Sequence, residues 1–397
     1  MDIFDKCTRF TRVRDLRAAG EYYYFRRIDS PQDPEVTIAG KKLVMLGSNS
    51  YLGLTNHPKV KEAACEAIRK YGTGCAGSRF LNGTLDIHEE LEGRLAKFMR
   101  KPAAVTFSTG FLTNLGTISA LVGKDDVVAI DKLDHASIID GTRLSFGDVR
   151  KFKHNDPADL DRILSRGSDR ASMVVVDGVF SMEGDIIDLP GVVKVARKHS
   201  TRVMVDDAHG IGVLGKGGRG TAEHFGLEDD VDIIMGTYSK SLASIGGFVV
   251  GDVDVIDYIK HHARALIFSA SPPPASVASV IAALDIIESE PERRERLWEN
   301  TRKMQKGFVE MGYDIGVSET PVVPVVVGED MTAFIMTGRL QELGVFVNPV
   351  VSPGTPPGRA LIRTSYMATH TDEQLDRVLD IFEKVGKELG ILQQRHV

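Results

Sequence analysis

Cysteine is scarce in this chain: Cys7, Cys65 and Cys75 are the three in 397 residues. An odd, widely spaced set provides no disulfide framework and no metal-ligand spacing, and it fits a reducing compartment. A basic excess is also lacking. Forty-nine Lys and Arg against 55 Asp and Glu leave a formal charge of −6. That balance argues against nucleic acid or an acidic membrane surface as the main partner, since both recruit basic patches. No apolar run approaches the ~18 residues of a spanning helix. Met1-Asp2-Ile3-Phe4-Asp5 carries early acids and no apolar core, so it does not read as a secretory signal. The expectation is a cytoplasmic protein, with a peripheral membrane contact left open. No Gly-x-Ser-x-Gly elbow is present to carry a hydrolytic triad, and there is no internal repeat.

What is present reads as an ordinary globular enzyme, 42% hydrophobic and 26% charged. Residues 1–50 suggest an N-terminal segment with a helix and a hairpin, its strands around Ala39-Gly40. Residues 51–275 suggest a large α/β domain. Helical periodicity covers Pro58 to Tyr71 and Asp86 to Met99. Short apolar runs then alternate with helical stretches at 103–107, 127–130, 173–176, 202–205, 231–235 and 247–250. Such alternation implies a mostly parallel sheet with helices on both faces, and ligands bind beyond the carboxyl ends of its strands. Composition changes at Ser271-Pro272-Pro273-Pro274, and residues 276–397 are expected to form a smaller α+β domain.

Lys240 closes the run Gly236-Thr237-Tyr238-Ser239-Lys240 at one expected strand end, and Asp206-Asp207-Ala208-His209 follows another. A lysine beside two hydroxyls, with an Asp and a His at a neighbouring strand end, is economically explained as the Schiff-base site of pyridoxal phosphate (PLP). The amine takes up the aldehyde, the hydroxyls receive the phosphate, and a carboxylate keeps the pyridine nitrogen protonated. Asp206 is favoured for that carboxylate. Asp207 is the alternative, because strand alternation lets only one of the two reach the ring. Other readings stay open at this stage. Asp206 and His209 with His135 suit a metal, and Asp206 suits a helix cap. Ser108-Thr109-Gly110-Phe111 opens a helix, as a phosphate cradle or as a plain cap. His135 suits a ring-stacking imidazole or a core histidine. Arg363, inside the apolar strand Leu361–Ser365, suits a carboxylate clamp or an internal salt bridge. Gly215-Lys216-Gly217-Gly218-Arg219-Gly220 matches GxGxxG, but without a preceding strand or a following acid it reads as a surface loop.

Beyond these residues, Tyr24-Phe25-Arg26, Gly47 to Leu54, Gly77 to Thr84 and Asp177 to Asp185 join the lysine segment in a pattern that spans nearly the whole chain. The pattern resembles the α-oxoamine synthase family of fold-type I PLP enzymes. The resemblance implies a mostly parallel seven-stranded sheet between helices, and a homodimer with active sites at the subunit interface. It implies that Lys240 carries the cofactor, that His135 stacks on its ring, that Asp206 pairs with its nitrogen and that His209 pairs with its ring oxygen. The phosphate would meet Gly110, Phe111, Thr237 and Ser239, with Ser269 and Ala270 arriving from a partner subunit. Ser181 would sit beside the cofactor, and Asn49, Ser78, His135 and Arg363 would hold the substrate. Ala270 stands where relatives often have a polar residue, so its side chain is a poor phosphate ligand. Thr237 to Ser241 and Phe80 to Asp86 are similar to the branch that condenses L-serine with a long-chain acyl-CoA. Sister branches take glycine or alanine. A non-catalytic partner subunit is the remaining reading, but such subunits lack the lysine that this chain retains.

Overall fold

Alternating valines and isoleucines with few breakers favour extended backbone, and each apolar run named above becomes a strand. The computed structural model describes residues 2–166 and 169–392. Its strands, in chain order, begin with β1 (Glu35–Ile38) and β2 (Lys41–Met45). The middle of the chain holds β3 (Ala103–Phe107), β4 (Val127–Asp131), β5 (Asp148–Phe152), β6 (Ser172–Asp177), β7 (Arg202–Asp206), β8 (Ile233–Thr237) and β9 (Gly247–Gly251). The last four are β10 (Val322–Gly328), β11 (Val345–Phe346), β12 (Asn348–Val350) and β13 (Ala360–Ser365).

Contacts divide the chain into two units. One runs from Asn49 to Trp298, and the other joins the residues up to Ser48 with those from Glu299 onward. The sequence boundaries, after 50 and after 275, differ from these. The helix Pro274–Ser289 packs on the helix Pro58–Tyr71 within the larger unit, so the proline run at 272–274 marks a turn into a helix and not a domain boundary. The N-terminal hairpin belongs with the C-terminal residues because β11 extends it in parallel, Val345 opposite Val44 and Phe346 opposite Met45.

In the larger unit the seven strands lie in the order β3-β9-β8-β7-β6-β4-β5. All neighbours are parallel except β9, which runs against both β3 and β8. β3 and β8 therefore point the same way, and the carboxyl ends of β3, β4, β6, β7 and β8 share one edge. Helices Gly110–Leu121, Ala136–Leu144 and Val253–His262 cover one face, where Phe107, Ile118, Val128, Ile130, Ile138 and Val249 are fully buried. Burial on both faces is why these strands read as unbroken apolar runs. β5, absent from the six expected runs, is an edge strand with exposed alternate residues in Asp-Val-Arg-Lys-Phe. β8 begins two residues later than expected, and just before it the Asp232 carboxylate accepts from Arg202 and the Val203 N–H.

In the smaller unit, β1 and β2 meet through Ala39 and Gly40, both at positive φ (48° and 77°), as a two-residue hairpin turn demands. β10, β13 and β12 form an antiparallel sheet. The apolar stretch at 345–350 is divided, its first half (β11) pairing with β2 and its second (β12) with β13. The glycine-rich stretch at 215–220 is a surface loop only in part: Lys216 is exposed, while Gly218 and Gly220 are buried. A Cβ on Gly220, at φ 96°, would lie 1.9 Å from Asp207 Oδ2.

Candidate active site

A cavity of about 340 Å³ opens at the shared carboxyl edge of the larger unit, and Lys240 lines it together with Thr237 and Ser239. The segment after β8 is held by the residue between those hydroxyls. Tyr238 is buried, its hydroxyl 2.9 Å from Thr106 Oγ1 and its ring stacked on Phe248 at 5.8 Å. Thr237 Oγ1 lies 3.0 Å from Ser239 Oγ and donates to the Gly246 carbonyl. Across the cavity starts the helix Gly110–Leu121, capped by Thr109 Oγ1, which accepts from the Leu112 N–H at 3.1 Å. A Cβ on Gly110 would stand 2.7 Å from Thr237 Oγ1, so only glycine lets the two segments approach. The cap reading is borne out, and it does not exclude the cradle. The helix start is capped, and first-turn N–H groups lacking helical partners sit beside two hydroxyls, as a phosphate would need.

Asp206 and His135 form the second wall. Asp206 Oδ2 accepts from Asn114 Nδ2 at 2.6 Å, and its Oδ1 accepts from the Ala208 N–H at 3.0 Å. The same Asn114 amide donates to Ser137 Oγ at 2.8 Å, and that oxygen is 2.7 Å from His135 Nδ1. The Ser137 N–H also donates to Nδ1. His135 Nδ1 is therefore an acceptor, and a neutral ring carries its proton on Nε2. Burial lowers the His135 pKa, against the pull of Asp206 and with Lys240 adding to the fall. The His135 N–H donates to Asp177 Oδ2 at 2.8 Å. Asp177 is raised well above the carboxylate range, first by burial and then by Asp206 beside it.

Asp207, one residue on, faces the other way. Thr221 donates to it twice, through its N–H and its hydroxyl, both at 2.7 Å. Alternation lets only one of the two reach the cavity, and packing makes Asp206 the one that lines it. His209 lines the cavity, with its Nδ1 2.6 Å from the Tyr51 hydroxyl, and Ser181 lines it from the loop after β6. Among the described residues, no three His, Cys, Asp or Glu side chains converge as ligands for a metal ion.

The remaining expected residues lie elsewhere. Asn49, half-buried, is the first residue of the larger unit. The Ser78 hydroxyl is buried without a hydrogen-bond partner among the described residues, in a loop whose Gly77 carbonyl accepts from Ser271. Ser269 and Ala270 do not line this chain's cavity. They follow the helix Arg264–Ile267, and Ser108 Oγ donates to the Ala270 carbonyl. Arg363 belongs to the smaller unit, buried in β13 opposite Pro324 and Asn348. Sequence reasoning missed Asn114, Ser137 and Tyr51 as parts of the site.

A lysine, a carboxylate, a neutral imidazole and a glycine-fitted hydroxyl cradle in one cavity match the amine-capturing aldehyde, pyridine nitrogen, flat ring and phosphate of PLP. Comparisons with known proteins agree. The family model for aminotransferase class I and II matches residues 41–382. The chain is 55% identical to a serine palmitoyltransferase of Sphingobacterium spiritivorum, over 98% of this chain and 97% of that protein. It is 45% identical to an 8-amino-7-oxononanoate synthase of Thermoanaerobacter pseudethanolicus, over 96% and 97%. A solved serine palmitoyltransferase from S. paucimobilis with bound PLP and myriocin superposes with a TM-score of 0.95 at 38% identity, covering 99% of this chain and all of that one.

Proposed function

The chain belongs to the aminotransferase class I and II family and, within it, to the α-oxoamine synthases, and on that premise we propose that it joins L-serine to a long-chain acyl-CoA. The products are 3-ketodihydrosphingosine, CO2 and CoA, the opening reaction of sphingolipid synthesis. One observation carries the chemistry: Lys240 shares a single cavity with Asp206, His135 and His209. The choice of serine is supported by the 55% match to a serine palmitoyltransferase, against 45% for the oxononanoate synthase.

When bound, PLP supplies an aldehyde that captures the substrate amine and a protonated ring that withdraws electrons from Cα. Asp206, braced by Asn114 and the Ala208 N–H, would hold the proton on the ring nitrogen. His135 would stack on the ring face and offer its Nε2–H to the serine carboxylate. Tyr51 holds the His209 imidazole at Nδ1, leaving its far nitrogen as the one that would donate to the ring oxygen. Lys240 Nζ removes the Cα proton and later returns one, which requires a pKa near working pH. Thr237, Ser239 and the N–H groups of Gly110 and Phe111 would take the phosphate. Asn49, Ser78 and Arg363 are assigned to the substrate.

The working unit in this reading is a homodimer. Ser269 and Ala270 do not line their own chain's cavity, and Leu81 and Phe268 are 79% and 73% exposed, apolar surface that a second copy would cover. The reaction is placed in the cytoplasm. No helix among the described residues is long and apolar enough to cross a membrane.

The test uses purified protein, palmitoyl-CoA and L-serine, glycine or L-alanine, following CoA release and the visible spectrum. Serine alone should shift the spectrum and release CoA. Equal or better turnover with glycine or alanine would move the assignment to a sister synthase.

A further inference from the structure

His135 and Ser181 reach the cavity from different strands, β4 and β6, and the segments carrying them are tied together outside the cavity. Asp131 lies four residues before His135, and Asp185 four residues after Ser181. His154, after β5, stands between these two aspartates. Its Nδ1 is 3.1 Å from Asp131 Oδ1 and its Nε2 3.0 Å from Asp185 Oδ2. Both carboxyls are almost wholly buried. The ring stands edge-on to Phe180, at 4.4 Å and 90°.

Neighbouring bonds make this a joint and not an isolated pair. The Asn155 N–H donates to Asp131 Oδ2 at 2.7 Å. Its side chain donates to the Ile186 carbonyl at 3.0 Å and accepts from the Asp188 N–H at 2.7 Å. Asn155 adopts φ 51° to make these contacts, a left-handed conformation that Asn tolerates better than most residues. The loop with Ser181 is closed on itself, Gly184 N–H to the Phe180 carbonyl at 2.9 Å and Phe180 N–H to the Asp185 carbonyl at 3.1 Å. On the other arm, the Asp131 N–H donates to Asp134 Oδ2, Asp134 Oδ1 accepts from the Asp177 N–H, and Asp177 Oδ2 accepts from the His135 N–H. A continuous set of bonds thus runs from His154 to the backbone of His135. Two buried carboxylates facing one imidazole favour the doubly protonated ring, since each nitrogen then donates to an oxygen.

We propose that His154 is a positioning residue for the site: it locks the Ser181 loop to the turn that presents His135, and thereby sets the spacing of the two cavity walls that enclose the cofactor. The proposal rests on the PLP reading of the cavity and adds a residue that touches neither cofactor nor substrate.

The test compares wild type, His154→Ala and Asp185→Asn. A destabilising control, Leu160→Ala, removes a buried side chain from the helix Pro157–Leu164 next door. Three quantities are read: the melting temperature, the PLP concentration that half-loads the protein, and the visible circular dichroism of the loaded protein. His154→Ala should raise the half-loading concentration about tenfold or more, as losing a charge-assisted hydrogen bond does, and weaken the visible dichroism. Asp185→Asn should do the same to a smaller degree. Leu160→Ala should lower the melting temperature alone. The proposal is overturned if His154→Ala lowers the melting temperature as the control does while half-loading and dichroism stay at wild-type values. Should His154→Ala not fold, Asp185→Asn decides on the same two readouts. Failure of the wild type itself to load PLP would sink the reading of the cavity, a distinct outcome from failure of the bridge.

Discussion

The two sides of the strand end at Asp206-Asp207 hold the same chemical group in opposite employment. On the cavity side, the Asp206 carboxylate meets one amide side chain and one backbone N–H, and Asn114 links it through Ser137 to His135. On the far side, Asp207 is enclosed by Thr221 and by close backbone. Cβ atoms on Gly210 and Gly220 would each lie 1.9 Å from its oxygens. Burial first, then Asp206, push the Asp207 carboxyl up to about 7, although the two bonds from Thr221 oppose the shift. An identical side chain therefore lines the cavity on one face and serves as a structural post on the other. The difference comes from what the neighbouring elements present, not from the residue.

Deleting the cavity side outright should have the largest consequence. Lys240→Ala should remove the visible absorbance of the loaded protein and cut turnover by on the order of a thousandfold or more. Retained turnover would mean that the lysine does not carry the cofactor. The paired substitution at the strand end is the sharpest test of the contrast. Asp206→Asn should lower turnover by about 10²–10³, the usual loss when one aligned charge is removed. Asp207→Asn should leave turnover near wild type and lower stability by about 1–2 kcal/mol, since an amide satisfies Thr221 less well than two carboxylate oxygens do. Denaturant melts and kcat on both variants measure this. Matching kinetic losses would erase the distinction between the faces.

Asn114→Leu keeps the volume but leaves Asp206 Oδ2 and Ser137 Oγ without their donor. Turnover should fall by about 10–100-fold, in line with a lost hydrogen bond to a charged group. Loaded protein should also titrate differently in the visible, since Asp206 would be less well held. An Asn114→Leu variant with wild-type kcat and spectrum would show that the brace is idle.

The smallest effect is in the pH dependence of stability. Asp207 binds its proton more tightly folded than unfolded, so stability should fall as pH rises from the ordinary 3.8 through about 7. His154 also gains a proton on folding. Burial alone would lower its pKa, but the Asp131 and Asp185 carboxylates outweigh that and bring it to about 10, with Glu183 also close enough to interact. Its contribution is complete below 6.5 and is lost as pH climbs through about 10. Asp207→Asn should flatten the lower window and His154→Ala the upper one, as read from melting temperatures between pH 4 and 10.

Much of the architecture was legible along the chain because strands buried on both faces must be apolar throughout. The parallel strands and the helices Pro58–Tyr71 and Asp86–Phe98 lie close to where their patterns put them. β5 was not legible, because an edge strand needs apolar residues on one face only. The unit boundary was not legible either. Parallel pairing of Val345 with Val44 joins residues some 300 positions apart, and nothing local to either segment announces it. Around the cavity, the residues with distinctive chemistry, Lys240, Asp206, His135 and His209, stood out by type and by their place after apolar runs. Asn114, Ser137 and His154 did not, since each acts only through a partner brought in from another strand or helix.

Residue type and short-range periodicity determined the class of reaction, the parallel sheet and the edge at which the cavity opens, because these follow from what a side chain is and how a strand alternates. Which of two adjacent aspartates faces the cavity, what braces it, and how the Ser181 loop is tied to the His135 turn were decided only by packing. Those outcomes depend on distances between elements remote along the chain, which no local pattern encodes.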